Sequence, residues 1–252
     1  EQNGQVSPSF ILISPTKACN LRCTGCYADS TDQKNSLEWS VIDRIIEDAK
    51  SLWGDRFLVI SGGEPFTYRS EGKDLMDLVE KHKDCFFMTY TNSTLITEET
   101  SRRLSKAGNM MLCISVEGWK ERTDARRGAG VFDTIISKMK MLRKDGVPFG
   151  ISLTGTKQNA EEILSEEFID YFIEQGALFA WLFQYMPIGR AFTLDLMVTP
   201  QQRAWMWRKS WEIVRSRRFF IADFWNHGTV VDGCLSAGGH GGGGYFHIDW
   251  NG

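Results

Sequence analysis

Long apolar runs are absent from this 252-residue chain. No stretch approaches the ~20 residues needed to cross a bilayer, and the N-terminal segment lacks the charged-then-apolar order of a signal peptide. An excess of one charge is lacking too: the formal net charge is -3, the signs are interspersed, and Arg126-Arg127 and Arg217-Arg218 are too short to form the basic stripe that phosphate contacts need. The composition thus argues against a membrane span and a dedicated nucleic-acid surface. Proline is scarce, no Pro-rich or uniformly charged linker divides the chain, and no repeat of solenoid period occurs. Cysteine, at six residues, is far too sparse for a disulfide scaffold. Three of the six fall within eight residues, which reads as metal ligation in a reducing compartment and hence as a cytoplasmic protein. The chain opens on Glu1 rather than methionine and stops at Gly252 inside what reads as a motif, so both ends are expected to continue in a longer protein.

What is present is a pattern of alternation. Apolar content of 42% is enough for one core of α/β-barrel size. Six short apolar, β-branched or aromatic runs read as strands: Phe10 to Ser14, Phe57 to Ser61, Cys85 to Thr91, Met110 to Val116, Phe149 to Leu153 and Leu178 to Tyr185. Helical-period segments separate them, such as Val41, Ile42, Ile45, Ile46, Ala49 and Leu52 ending at Gly54, and Gly108, Gly146 and Gly176 close later helices. Parallel strands joined by right-handed crossovers curl into a partial or complete barrel whose functional residues lie at the carboxyl ends of the strands. Thr199-Pro200-Gln201-Gln202 then predicts a helix start with a capping box, continuing to about Arg218. The runs Phe219 to Phe224 and Tyr245 to Ile248, with the glycine cluster Gly238 to Gly244 between them, read as a small appendage. The expectation is a (β/α)6 partial barrel over residues 1–198, followed over 199–252 by a helix and a small β-hairpin extension.

Directly after the first strand comes Cys19-Asn-Leu-Arg-Cys23-Thr-Gly-Cys26. Soft thiolates so close together select an iron-sulfur cluster or zinc over oxygen-preferring cations. Three cysteines would leave one iron of a four-iron cubane without a protein ligand, whereas an electron-transfer cluster normally closes with a fourth cysteine. Two other readings stay open here: zinc with a distant fourth ligand from His82, His227, His240 or His247, and buried structural cysteines. Cys85 and Cys113 lie in strand-like runs and read as small buried hydrophobes.

CxxxCxxC after a first strand resembles the signature of the radical S-adenosylmethionine (SAM) superfamily. Ser61-Gly62-Gly63-Glu64-Pro65, ending the second strand, is similar to the GGEP motif of that family. The resemblance implies a radical SAM barrel carrying a [4Fe-4S] cluster on Cys19, Cys23 and Cys26, which cleaves SAM to a 5'-deoxyadenosyl radical. It implies that Gly62, Gly63, Glu64 and Pro65 meet the SAM ammonium, glycines permitting close backbone approach. Thr91-Asn92-Ser93 resembles the family's TNG, with serine where glycine is usual. Ser115-Val116-Glu117-Gly118 resembles SIDG, and Arg126-Arg127-Gly128 the RG that follows it. By resemblance Asn92 joins the site, Ser115 and Arg127 meet the SAM carboxylate, Tyr27 lies by the adenine, and Gln184, Tyr185 and Met186 line the adenosine pocket. Cys234, with the Asn251-Gly252 turn, resembles the opening of a SPASM or twitch extension, which implies an auxiliary iron-sulfur cluster ligated by Cys234. A local zinc site of Cys234, His240 and His247 is the competing reading. Further implications are a maturase-type oxidoreductase acting on a peptide, with flavodoxin or ferredoxin as electron donor. Tetrapyrrole or lipid chemistry is the alternative within the class. A binding or electron-transfer protein that uses no SAM is the alternative outside it.

Overall fold

A computed structural model of the chain describes residues 8–31, 35–225, 233–234, 238–239 and 243–252. Eight strands form one sheet: β1 Pro8–Ile13, β2 Phe57–Ile60, β3 Phe86–Thr91, β4 Met110–Val116, β5 Phe149–Gly155, β6 Phe179–Gln184, β7 Phe220–Asp223 and β8 Gly243–Ile248. Every neighbouring pair is parallel, and the order across the sheet is β8-β1-β2-β3-β4-β5-β6-β7. The crossovers carry α1 Trp39–Trp53, α2 Leu75–Lys81, α3 Glu98–Ala107, α4 Lys120–Arg127, α5 Val131–Lys144, α6 Ala160–Ile163, α7 Glu166–Gln175 and α8 Pro200–Ser216.

The strands read as nearly continuous apolar runs because both faces of the sheet are covered. On the outer face Ile11, Leu58, Ile60, Leu112, Ile114, Ile151 and Leu182 pack against Ile42, Ile46, Val79, Leu104, Ile135, Met139, Phe172 and Ile213 from the helices. Each such side chain contributes about 1.5–3 kcal/mol when fully buried, so this layer dominates the fold's stability. The inner face holds Leu12, Val59, Met88, Cys113, Phe179 and Trp181. Across it run ring contacts: Tyr90 to Phe183 at 5.6 Å, Phe183 to Phe224 at 5.3 Å, Phe224 to Tyr245 at 6.2 Å and Tyr245 stacked on Phe10 at 4.9 Å. The Phe224–Tyr245 contact joins the end of β7 to β8, so the sheet is curled into a half-barrel whose two edges approach each other.

The expected helix ends are observed. Gly54, Gly108 and Gly176 are left-handed caps of α1, α3 and α7, and Thr199 and Gln202 form a reciprocal capping box on α8. One difference concerns the runs Phe219 to Phe224 and Tyr245 to Ile248. Both join the main sheet as its edge strands, β7 and β8, instead of forming an appendage. A small antiparallel hairpin does occur, between Gly233–Cys234 and Gly238–Gly239.

Candidate active site

The carboxyl ends of β1 to β4 converge on one loop. After β1 the chain runs through Cys19, Cys23 and Cys26, all half-buried and none disulfide-bonded. Backbone hydrogen bonds fix this loop at several points. The Cys19 amide donates to the Thr31 carbonyl at 2.9 Å, the Thr24 amide to the Arg126 carbonyl at 3.0 Å, and the Cys26 carbonyl accepts from Asp29 and Arg190 at 3.1 and 3.0 Å. Burial pushes the Cys19 thiol up to about 11, although the Leu21 amide donates to its sulfur. The Cys23 thiol is also raised by burial, which the nearby Arg127 guanidinium opposes. The Cys19 and Cys23 thiols therefore hold their protons near neutral pH until a cation displaces them.

The turn after β2 packs directly on this loop. The Gly63 amide donates to the Thr16 carbonyl at 2.9 Å and the Glu64 amide to the Ala18 carbonyl at 2.8 Å. A Cβ on Gly63 would overlap the Ala18 carbonyl oxygen, and Gly62 has a φ of 106°. These glycines are required by the approach of two backbones, β2 turn to cysteine loop, whatever ligand lies beyond them. Glu64 is 1% exposed. Its Oε1 accepts from the Phe66 amide and the Thr91 hydroxyl, at 3.2 and 2.7 Å, and its Oε2 from the Asn92 amide at 2.7 Å. The carboxylate thus ties β2 to β3 and caps the short 3-10 turn Pro65–Thr67, in which Pro65 takes the first position. Burial raises its pKa, which these hydrogen bonds counter.

Asn92 extends the same network. Its Nδ2 donates to the Asn20 Oδ1 at 3.0 Å and lies 3.9 Å from the Cys19 sulfur, while its Oδ1 accepts from the Thr94 amide and hydroxyl. Ser93, where the family has glycine, adopts a left-handed φ of 61°. The backbone keeps the glycine-type conformation at a steric cost to the serine. Tyr27, 54% exposed, reaches from the cysteine loop to hydrogen-bond the Ser61 hydroxyl at 2.8 Å, at the end of β2.

At the end of β4 Ser115 is half-buried and shares the inner side of the strand with Cys113. Arg127 pairs with Glu117, its Nε and Nη2 donating to Oε1 at 3.0 and 2.5 Å. The residues after β5 and β6 complete the surroundings. The Tyr185 ring lies against Gly25, leaving no room for a side chain there, and Met186 is 44% exposed. Gln184 departs from expectation. It is buried with its Nε2 4.0 Å from the Met206 sulfur of α8, on the outer face, because β6 turns Trp181 and Phe183 inward instead. Cys234 lies in the two-residue strand named above; its side chain is outside the described residues, as are His227 and His240. His247 is placed, with its Nε2 2.7 Å from the Ser14 hydroxyl inside the β1–β8 seam.

These side chains fit the cofactors that their spacing implies. Among the described residues no three His, Cys, Asp or Glu side chains meet on a single metal point. A cubane does not ask for that, since each thiolate binds its own iron. Three free thiols on one loop, with an amide nitrogen and a guanidinium beside the first and second, form a donor set suited to it. The radical SAM family model matches residues 13–167, from the end of β1 into α7. The chain belongs to the radical SAM superfamily.

Its relatives within that superfamily include the AdoMet-dependent heme synthase of Methanosarcina barkeri, 32% identical over 195 residues, covering 75% of this chain and 54% of that protein. The sporulation killing factor maturation protein SkfB of Bacillus subtilis is 25% identical over 191 residues, covering 73% of this chain and 44% of SkfB. Streptococcus suis SuiB, in its crystal structure bound to S-adenosylmethionine, superposes with a TM-score of 0.73 at 20% identity, covering 97% of this chain and 59% of SuiB. The chain therefore spans about half the length of the curated relatives it matches. The SuiB likeness shows the fold.

Sequence reasoning missed Glu117, Arg126 and the Gly189-Arg190 segment as neighbours of the cysteine loop. The signal was present for the first two, a carboxylate closing β4 and a double arginine closing α4. For Gly189 nothing in the sequence shows that it packs on the Cys26 and Tyr27 carbonyls.

Proposed function

We propose that Cys19, Cys23 and Cys26 hold a [4Fe-4S] cluster and that the chain uses SAM to abstract hydrogen from a substrate in the barrel mouth. The observation that carries this reading is the packing of the cysteine loop onto the Gly62-Gly63-Glu64 turn through the Gly63 and Glu64 amides. The loop that carries the three free thiols is thereby held against the turn, which supports assigning that turn to the methionyl group. Held by Cys19, Cys23 and Cys26, such a cluster would supply the electron for reductive cleavage of the SAM carbon-sulfur bond. The residues of the chain orient and shield. Ser115 and Arg127 are assigned to the SAM carboxylate, Glu64 to the ammonium through the remaining lone pairs of Oε2, and Tyr27, Tyr185 and Met186 to the rim around the adenosine. The aromatic inner face excludes water from the barrel floor, which limits quenching of a reactive intermediate.

The substrate assigned is a peptide, as the likeness to SkfB supports, and an external donor such as flavodoxin or ferredoxin supplies the electron. A tetrapyrrole side chain is a second reading, favoured by the 32% identity to the heme synthase and 33% to an Fe-coproporphyrin III synthase of M. barkeri. Residues 199–252 are assigned to α8 and the opening of a SPASM or twitch extension, in which Cys234 would ligate an auxiliary cluster. Anaerobic reconstitution with iron and sulfide, reduction with dithionite and assay for 5'-deoxyadenosine test the core reading. Product is expected from the wild-type chain and is abolished by Cys19→Ala, Cys23→Ala or Cys26→Ala. Undiminished product in any one variant would remove that cysteine. Peptide and Fe-coproporphyrin III, added separately, discriminate the substrate classes by which one increases 5'-deoxyadenosine formation.

A further inference from the structure

Glu117 follows β4 and is 2% exposed. Its backbone is fixed from two sides, the amide donating to the Thr123 hydroxyl at 3.1 Å and the carbonyl accepting from Asn159 Nδ2 at 2.8 Å. Its carboxylate receives two consecutive arginines, Oε2 accepting from Arg126 Nη1 and Oε1 from Arg127. Arg126 then turns onto the cysteine loop. Its Nε donates to the Thr24 carbonyl at 3.1 Å, its Nη2 to the Gly25 carbonyl at 3.4 Å, and its own carbonyl accepts from the Thr24 amide at 3.0 Å. Thr24 and Gly25 are the only residues between Cys23 and Cys26. One guanidinium therefore grips the link between two of the three thiols, and that guanidinium is aimed by a buried carboxylate.

From this geometry we propose that Glu117 is a positioning residue which, through Arg126, sets the relative placement of Cys23 and Cys26 for cluster binding. The inference rests on the assignment of those thiols to the cluster. Cys19 stands outside the grip, being held by the Thr31 carbonyl, the Leu21 amide and Asn92. The effect of losing Glu117 is therefore selective among the three cysteines, which a general loss of stability is not. The single carboxylate also faces two guanidinium groups, so around Cys23 the positive charges outnumber the negative. Such a charge favours thiolate ligands and the acceptance of an electron.

The test uses the full chain in two stages. Without iron, pulsed iodoacetamide labelling with mass spectrometry reads each cysteine separately in wild type, Glu117→Ala, Arg126→Gln and Arg126→Lys. Labelling of Cys23 and Cys26 relative to Cys19 is expected to rise about fivefold in Glu117→Ala and Arg126→Gln, the loss of roughly one net hydrogen bond, and less in Arg126→Lys. After reconstitution, iron per chain and the change in the reduced-cluster EPR spectrum on adding SAM are expected to fall in the same order. Should Glu117→Ala fail to fold, by far-UV circular dichroism, the Arg126 variants decide, because they keep the Glu117–Arg127 pair. Unchanged labelling ratios in folded variants, with wild-type iron content and spectra, overturn the positioning role. A wild-type chain that takes up no iron overturns the cluster assignment itself.

Discussion

Glu64 shows how one residue can serve fold and ligand together. All three of its internal hydrogen-bond partners are donors, so a carboxylate fits where an amide does not. In Glu64→Gln one amide edge would turn a donor toward a donor, leaving buried groups unpaired at about 1–3 kcal/mol. We expect a lower melting midpoint for this variant even without ligand, together with roughly tenfold or greater loss of SAM affinity from the missing charge. Thermal melts and equilibrium dialysis separate the two effects. A melting midpoint equal to wild type would mean that Glu64 does not brace β2 against β3. Gly63 is constrained by space instead of charge. With the Ala18 carbonyl oxygen where its Cβ would go, Gly63→Ala must push the turn off the cysteine loop. The expected result is a loss of iron uptake after reconstitution with little change in helix content, and full iron incorporation would show that the two backbones can separate freely.

The helices and strands were largely legible in the sequence, and the reasons are local. Each of the six inner strands is a compact apolar run, and α1, α3 and α7 end at glycines whose left-handed conformation favours that residue. The membership of β7 and β8 in the sheet was not legible, because pairing of distant strands leaves no mark within either run. The side to which Gln184 points was hidden as well, since β6 is apolar on both faces and its alternation is blurred. Between α1 and the end of α2 lies another contact no pattern discloses. The His82 side chain is 1% exposed, with its Nε2 2.9 Å from Asp43 Oδ1 and its Nδ1 3.3 Å from both Lys50 Nζ and Glu47 Oε1. Burial holds its pKa below the ordinary value, helped by the Lys50 charge and opposed by Asp43 and Glu47. A depressed histidine contributes stability that is present above its unfolded pKa of about 6.5 and is lost as pH falls through the folded value. Asp43 is itself held low by burial-opposing bonds to Lys81 and His82 and titrates far below this window. The melting midpoint is thus expected to drop between about pH 7 and 5, and His82→Gln to flatten that slope. An identical slope in the variant would assign the dependence to other groups.

For the molecule as a whole, the seam between β1 and β8 has the widest effect. Tyr245 stacks on Phe10 from one side and meets Phe224 edge-on from the other, linking both edges of the sheet. Tyr245→Ala is expected to cost roughly 2–3 kcal/mol, from lost packing and two ring pairs. Denaturant titration measures it, and a loss below about 0.5 kcal/mol would show that the seam adds little. The seam also governs the order in which the molecule can be made. Phe10 gains its edge-on ring contact with Phe57, at 6.3 Å, when β2 emerges from the ribosome, but its strand partner is Tyr245, far along the chain. Until then β1 carries a bare parallel edge next to the cysteine loop, open to pairing with another chain. Closing so long a loop is slow, so β8 docking is the step most exposed to competition from self-association during synthesis.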